Sequence, residues 1–145
     1  MISKGATTVW ELWNGDTAEP SMNSGNHVMQ IGDLNVWLYE YLAGIRPAAD
    51  TDGFKHIVIR PYPVDDLESV AASHECLYGK IASQWVRRNG GIQLDVTIPP
   101  NTTATVYVPS KNPGAVKEAG GAKAERTDAG AAVFALGSGS YSFSE

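Results

Sequence analysis

The 145-residue chain has a single cysteine, Cys76, so it forms no internal disulfide. It has no apolar run approaching the roughly 20 residues that cross a bilayer as a helix, and no membrane partner is expected. It is poor in charge, with 19% Asp, Glu, Lys and Arg, and the balance is acidic at −5. Its 11 Lys and Arg residues are scattered along the sequence. Without a clustered basic stretch, nucleic acid and anionic membrane surfaces are not expected as partners. No apolar segment and cleavage site follow Met1-Ile2-Ser3-Lys4, so this opening does not read as a signal peptide. Nothing here encodes a cellular location. No internal repeat is present.

What remains is the composition of a folded protein, 43% hydrophobic and long enough for one domain with a core. The most informative residues lie near the start. Trp10-Glu11-Leu12-Trp13 puts a carboxylate between two indoles, and the loop Pro20-Ser21-Met22-Asn23-Ser24-Gly25-Asn26-His27 follows. Aromatic walls with a few amide, hydroxyl and carboxylate groups suit a sugar. A Glu between two tryptophans is expected to lose water, which raises a carboxyl pKa toward acid–base work. The plainer reading makes Glu11 a cap or ion-pair partner, the tryptophans core, and His27, Asn26 and Ser24 helix caps.

From His27 to Ile45 the apolar residues Ile31, Leu34, Leu38, Tyr41 and Ile45 recur at helical spacing. Val28, Met29, Val36, Trp37 and Leu42 make the helix apolar on most sides, which predicts burial on most sides. Gly44 is placed to end it in a left-handed turn, and Pro47 blocks continuation.

After the linker at 48–53 the period becomes two. Ile92, Leu94, Val96 and Ile98 alternate with polar residues, as do Ala104, Val106 and Val108. Ile57 with Ile59, Ile81 with Trp85, Val133 with Ala135, and Tyr141 with Phe143 give shorter copies. Asn89-Gly90-Gly91 and Pro99-Pro100-Asn101 read as turns. Seven or eight short strands predict an antiparallel β-sandwich of jelly-roll type. The Ala/Gly-rich stretch from Gly114 to Gly130 is expected to hold one short strand.

Several smaller features have plain readings. His74 and Cys76 share a strand face, but two ligands do not make a metal site, and none is expected. Trp85, Tyr78 and Tyr107 suit either a sugar-stacking platform or the core. Arg60, Arg87 and Arg88 are expected to be solvated or paired. Asn101-Thr102-Thr103 is a sequon whose composition a turn already explains.

The motif Thr7-Thr8-Val9-Trp10-Glu11-Leu12-Trp13-Asn14-Gly15, the loop at 20–27 and Trp37-Leu38-Tyr39-Glu40-Tyr41-Leu42-Ala43-Gly44-Ile45 together resemble the C-terminal part of bacterial α-L-rhamnosidases of glycoside hydrolase family 78. The likeness continues through residues 53–61, Tyr78-Gly79-Lys80-Ile81 and residues 99–106. It implies that residues 1–46 are the end of an (α/α)6 catalytic barrel and 47–145 a C-terminal β-sandwich. It also implies an inverting glycosidase with no cofactor and a rhamnose-containing carbohydrate as partner. Glu11 falls on the family's general base and His27 among the rhamnose contacts, with Trp10 and Trp13 near the site wall and Asn26 a further candidate for substrate binding. Nothing here matches the general acid, so the 145 residues alone are expected to be inactive. Asn14 stands where relatives often have Asp, and Gly25 where an aromatic is common. The competing reading is a non-catalytic carbohydrate-binding or scaffolding sandwich. The greasy helix, His27 to Ile45, is expected to support a homo-oligomer.

Overall fold

Alternating burial builds most of this molecule. The computed structural model describes residues 1–19, 21, 23–88 and 90–145. They form two compact units, Met1–Trp37 and Leu38–Glu145.

In the first unit a short 3-10 turn, Ile2–Lys4, precedes irregular loops and the helix α1, Met29–Trp37. The loops are tied by backbone bonds from Glu11 N–H to the Ser24 carbonyl (3.0 Å) and from His27 N–H to the Val9 carbonyl (2.6 Å). An ion pair between Lys4 and Asp16 at 2.9 Å adds a surface tie, and the Lys4 ammonium lowers the Asp16 pKa.

The second unit opens with a π-helical turn, Leu38–Leu42, and continues as a β-sandwich. Its strands are β1 (Ile45–Pro47), β2 (His56–Ile59), β3 (Ser69–Cys76), β4 (Gly79–Arg88), β5 (Gly91–Ile98), β6 (Thr103–Pro109), β7 (Lys117–Glu118), β8 (Arg126–Asp128), β9 (Ala131–Leu136) and β10 (Gly139–Ser144). One sheet has the order β1-β2-β6-β9-β8, the other β3-β4-β5-β10-β7. Ile92, Leu94, Val96 and Ile98 of β5 and Ala104, Val106 and Val108 of β6 all point inward, as their alternation predicts. Phe134 and Phe143 meet between the sheets with ring centroids 4.8 Å apart. Such tilted pairs contribute about 0.5–1.5 kcal/mol beyond their buried area.

The mainly β, sandwich-type fold is the one the sequence predicts, with four differences. First, the predicted helix from His27 to Ile45 stops early: α1 ends at Trp37, the π turn ends at Leu42, and Ile45 starts β1 opposite Ile59. Gly44 decides this. It has φ +79°, and a Cβ there would lie 2.2 Å from the Arg60 carbonyl carbon. The chain therefore turns left-handed and runs against strand β2. Second, β2 pairs with β6 in parallel, His56 opposite Thr103, while the other strand pairs among the described residues are antiparallel. Between β2 and β6 the chain builds three strands of the other sheet, so β6 returns in the same direction. Third, the stretch from Gly114 to Gly130 supplies two short strands, β7 and β8, and ten strands are found among the described residues. Fourth, the inward face of β9 is Ala132, Phe134 and Leu136; Ala135 is exposed, and Val133 is buried on the other face. An all-apolar strand carries no period to show its faces.

Strands β4 and β5 pair as far as Arg88 opposite Gly91, and Gly90 has φ +87°, where the first hairpin is predicted. Asn89 of this predicted hairpin lies outside the described residues, as do Pro20 and Met22 of the N-terminal loop motif. At the second predicted turn, Asn101 adopts φ +61° and the buried Thr102 hydroxyl donates to the Pro99 carbonyl at 2.7 Å.

Candidate functional site

Glu11 lies in an irregular segment, and Ser24 anchors it from the facing loop. The Ser24 N–H donates to Glu11 Oε2 at 2.8 Å while the Ser24 carbonyl accepts the Glu11 N–H. One residue thus fixes both the backbone and the carboxylate of Glu11. The other carboxylate oxygen, Oε1, has no hydrogen bond among the described residues, and the side chain is 35% exposed. A carboxylate held by one oxygen and open at the other can accept a proton from a water molecule.

The backbone bond from His27 to Val9 brings the imidazole beside this carboxylate, with Nδ1 3.9 Å from Glu11 Oε2. That is too long for a hydrogen bond. Nδ1 is buried and makes no hydrogen bond among the described groups. Asn26 is held at the same edge: its Oδ1 accepts from the Thr8 hydroxyl at 2.7 Å, and its N–H donates to Ser24 Oγ at 3.1 Å. Asn26 and Ser24 therefore brace the loop with their side chains.

The two tryptophans part company. Trp10 is half-buried over Gly15, where a Cβ would come within 2.5 Å of the indole. Trp13 is 79% exposed. Only one of the two indoles that flank Glu11 in sequence is therefore partly buried, because neighbours along an irregular segment need not share a face. No local pattern ties Ser24 or Thr8 to the carboxylate. Only the crossing of residues 8–11 with 24–27 does.

The remaining candidates take structural roles. Trp85 is fully buried and donates its indole N–H to the Leu42 carbonyl, so it is core and not a sugar platform. His74 packs on Phe54 at 4.8 Å between ring centroids, and the Cys76 thiol donates to the Gly79 carbonyl. No group of three or more His, Cys, Asp or Glu side chains suited to a metal occurs among the described residues. Arg87 donates to the carbonyls of Val64 and Leu67 and lies 3.5 Å from Asp65. Tyr78 lies under the Lys55 ammonium, and Tyr107 beside Arg60 and Arg126.

Residues 44–123 match the family model described as the bacterial alpha-L-rhamnosidase C-terminal domain, and residues 1–42 match the bacterial alpha-L-rhamnosidase 6 hairpin glycosidase domain. The chain belongs to the bacterial α-L-rhamnosidases. An alpha-L-rhamnosidase of Streptomyces avermitilis is 40% identical over 147 residues, an alignment covering 98% of this chain and 14% of that protein. One from Formosa agariphila is 39% identical over 121 residues, covering 80% and 13%. The crystal structure of the Streptomyces avermitilis enzyme complexed with L-rhamnose matches with a TM-score of 0.84 at 39% identity, over 98% of this chain and 14% of that one. The alpha-L-rhamnosidase from Dictyoglumus thermophilum matches with a TM-score of 0.79 at 32% identity, over 99% and 16%. The chain thus spans about one seventh of the length of these rhamnosidases.

Proposed function

We propose that this chain is the terminal part of an inverting α-L-rhamnosidase that removes terminal α-L-rhamnose from glycosides or polysaccharides. In this reading Glu11 is the general base. Its Oε1 takes a proton from water as the water oxygen bonds to the anomeric carbon and the glycosidic C–O bond breaks. A second carboxyl group, contributed by barrel helices outside these residues, protonates the departing oxygen. Inversion requires the two carboxyls to stand about 6.5–9.5 Å apart, leaving room for the water. Ser24 orients Glu11 through Oε2, His27 and Asn26 bind sugar hydroxyls, and Trp10 and Trp13 contribute to the wall. The 145 residues alone hold one of the two carboxyls and do not turn over substrate.

The observation that carries this reading is the open Oε1 of a carboxylate anchored at its other oxygen, within a segment that matches a glycosidase domain. The test uses a polypeptide in which this sequence continues from a complete barrel. There Glu11→Gln lowers kcat on an aryl α-L-rhamnoside by about 10²–10⁴-fold with KM little changed. The first product seen by NMR is the inverted anomer. An unchanged kcat removes Glu11 from the chemistry, and turnover by the isolated 145-residue chain removes the need for a second acid.

A second reading, a non-catalytic carbohydrate-binding or scaffolding sandwich, is favoured by the polar groove on the β1-β2-β6-β9-β8 sheet.

A further inference from the structure

Three of the five arginines, Arg46, Arg60 and Arg126, are far apart in sequence but meet on the outer face of the β1-β2-β6-β9-β8 sheet. Strand register brings them there. Arg46 stands opposite Val58, and Arg126 opposite Val133, which itself faces Tyr107. They line an open groove of about 470 Å³ that Tyr107 and Thr105 also line.

The guanidinium of Arg60 lies 4.6 Å from the centre of the Tyr107 ring and 5.6 Å from that of Tyr62. Arg126 lies 5.9 Å from the Tyr107 ring and donates to its hydroxyl at 3.3 Å. The Tyr62 ring, 43% exposed, pairs with Tyr41 at 6.1 Å. The result is a run of alternating rings and guanidinium groups.

These arginines are short of acidic partners. Arg60 has Asp128 at 3.9 Å, while Arg46 and Arg126 have no carboxylate within ion-pair distance among the described residues. Asp50 also lines the groove, leaving three cations against two carboxylates in a protein whose net charge is −5. Arg60, held against two rings, and Arg126, held by the Tyr107 hydroxyl, are oriented before a ligand arrives, and planar guanidinium forks suit carboxylate or sulfate oxygens. Exposed tyrosine rings beside them offer apolar faces to a neighbouring pyranose.

We propose that this groove binds an acidic oligosaccharide, with its carboxylate or sulfate between Arg46, Arg60 and Arg126 and an adjoining sugar against Tyr62. The choice of a glycan rests on reading the chain as part of a carbohydrate-active protein. The test measures binding, so it fails or succeeds apart from the Glu11 experiment.

Isothermal titration of the 145-residue chain with tetragalacturonate, a sulfated galactan oligosaccharide, a neutral galacto-oligosaccharide, inorganic sulfate and a short poly-glutamate peptide decides it. Binding of either acidic glycan, absent for the neutral one and weakening as salt rises, is expected. Tetragalacturonate binding identifies a uronate site and sulfated galactan binding a sulfate site. Arg60→Gln or Arg126→Gln is expected to weaken it by about tenfold or more, with Arg60→Lys intermediate and Tyr62→Ala weaker for the oligosaccharide. Thermal melts confirm that the variants fold. Failure of both acidic glycans to bind overturns the proposal. So does binding unaffected by the arginine substitutions, or inorganic sulfate or poly-glutamate binding as tightly as the glycans.

Discussion

The indole N–H of Trp85, at the centre of the sandwich, donates to the main-chain carbonyl of Leu42 at 2.9 Å. Two positions earlier on the same inward face, Ser83 donates its hydroxyl to the Ala43 carbonyl at 2.7 Å. Both acceptors lie where the helical segment ends, and a helix end leaves carbonyls without internal partners. Strand β4 supplies those partners from inside the core. Gly44 then lets the backbone pass against Arg60, whose N–H donates to the Gly44 carbonyl at 2.9 Å. The end of the Leu38–Leu42 turn is therefore a hydrogen-bonded part of the sandwich core.

Removing either donor leaves a buried carbonyl unpaired. Ser83→Ala is expected to cost about 1–3 kcal/mol. Trp85→Phe costs at least as much, since it also opens a small cavity. Chemical denaturation with the m-value monitored checks both. A Ser83→Ala protein as stable as the parent would show that the Ala43 carbonyl finds another partner.

Glu118 gives the sandwich an acid-sensitive point. It is buried in β7, and its Oε2 accepts the Ala122 N–H at 3.0 Å. Main-chain N–H groups, Ala122 first and Gly120 next, hold its pKa below the usual 4.5. A carboxyl whose pKa is depressed by folding stabilises the fold above its unfolded pKa. That contribution is lost as pH falls below about 4.5 and through the lower folded value. Glu118→Gln is therefore expected to be less stable than the parent at pH 7, with the gap closing in acid. Thermal melts from pH 7 to pH 3 read this directly, and a constant gap would contradict it.

Helix α1 leaves Met29 at 65%, Leu34 at 55% and Val36 at 52% exposed. A run of exposed apolar side chains favours association, so we propose that the isolated 145-residue chain self-associates through this helix. Ile45 takes no part, being buried in β1. Leu34→Lys with Val36→Lys is expected to shift light scattering toward monomer while leaving the sandwich's melting unchanged. An unaltered mass would remove α1 from the interface.

The open oxygen of Glu11 shows where sequence reading stops at the site. Trp-Glu-x-Trp marked the residue, and the resemblance gave it a role. Its partners were hidden, because Ser24 is 13 positions away and reaches Glu11 through its own backbone. A main-chain donor leaves no trace in residue identity.

The sequence alone determined which residues of β5 and β6 face inward, because alternation is local and the side-chain period of a strand is two. It also determined the family, because several motifs stand in order. The tertiary structure decided the rest. It placed Ile45 in a strand, because Gly44 meets the backbone of a residue 16 positions on. It made β2 and β6 parallel, because the strands between them belong to the other sheet. It drew Arg46, Arg60 and Arg126 into one groove, although their spacing in the chain suggests mere scatter. Each of these depends on which strand lies beside which, and strand pairing joins residues that no local pattern connects.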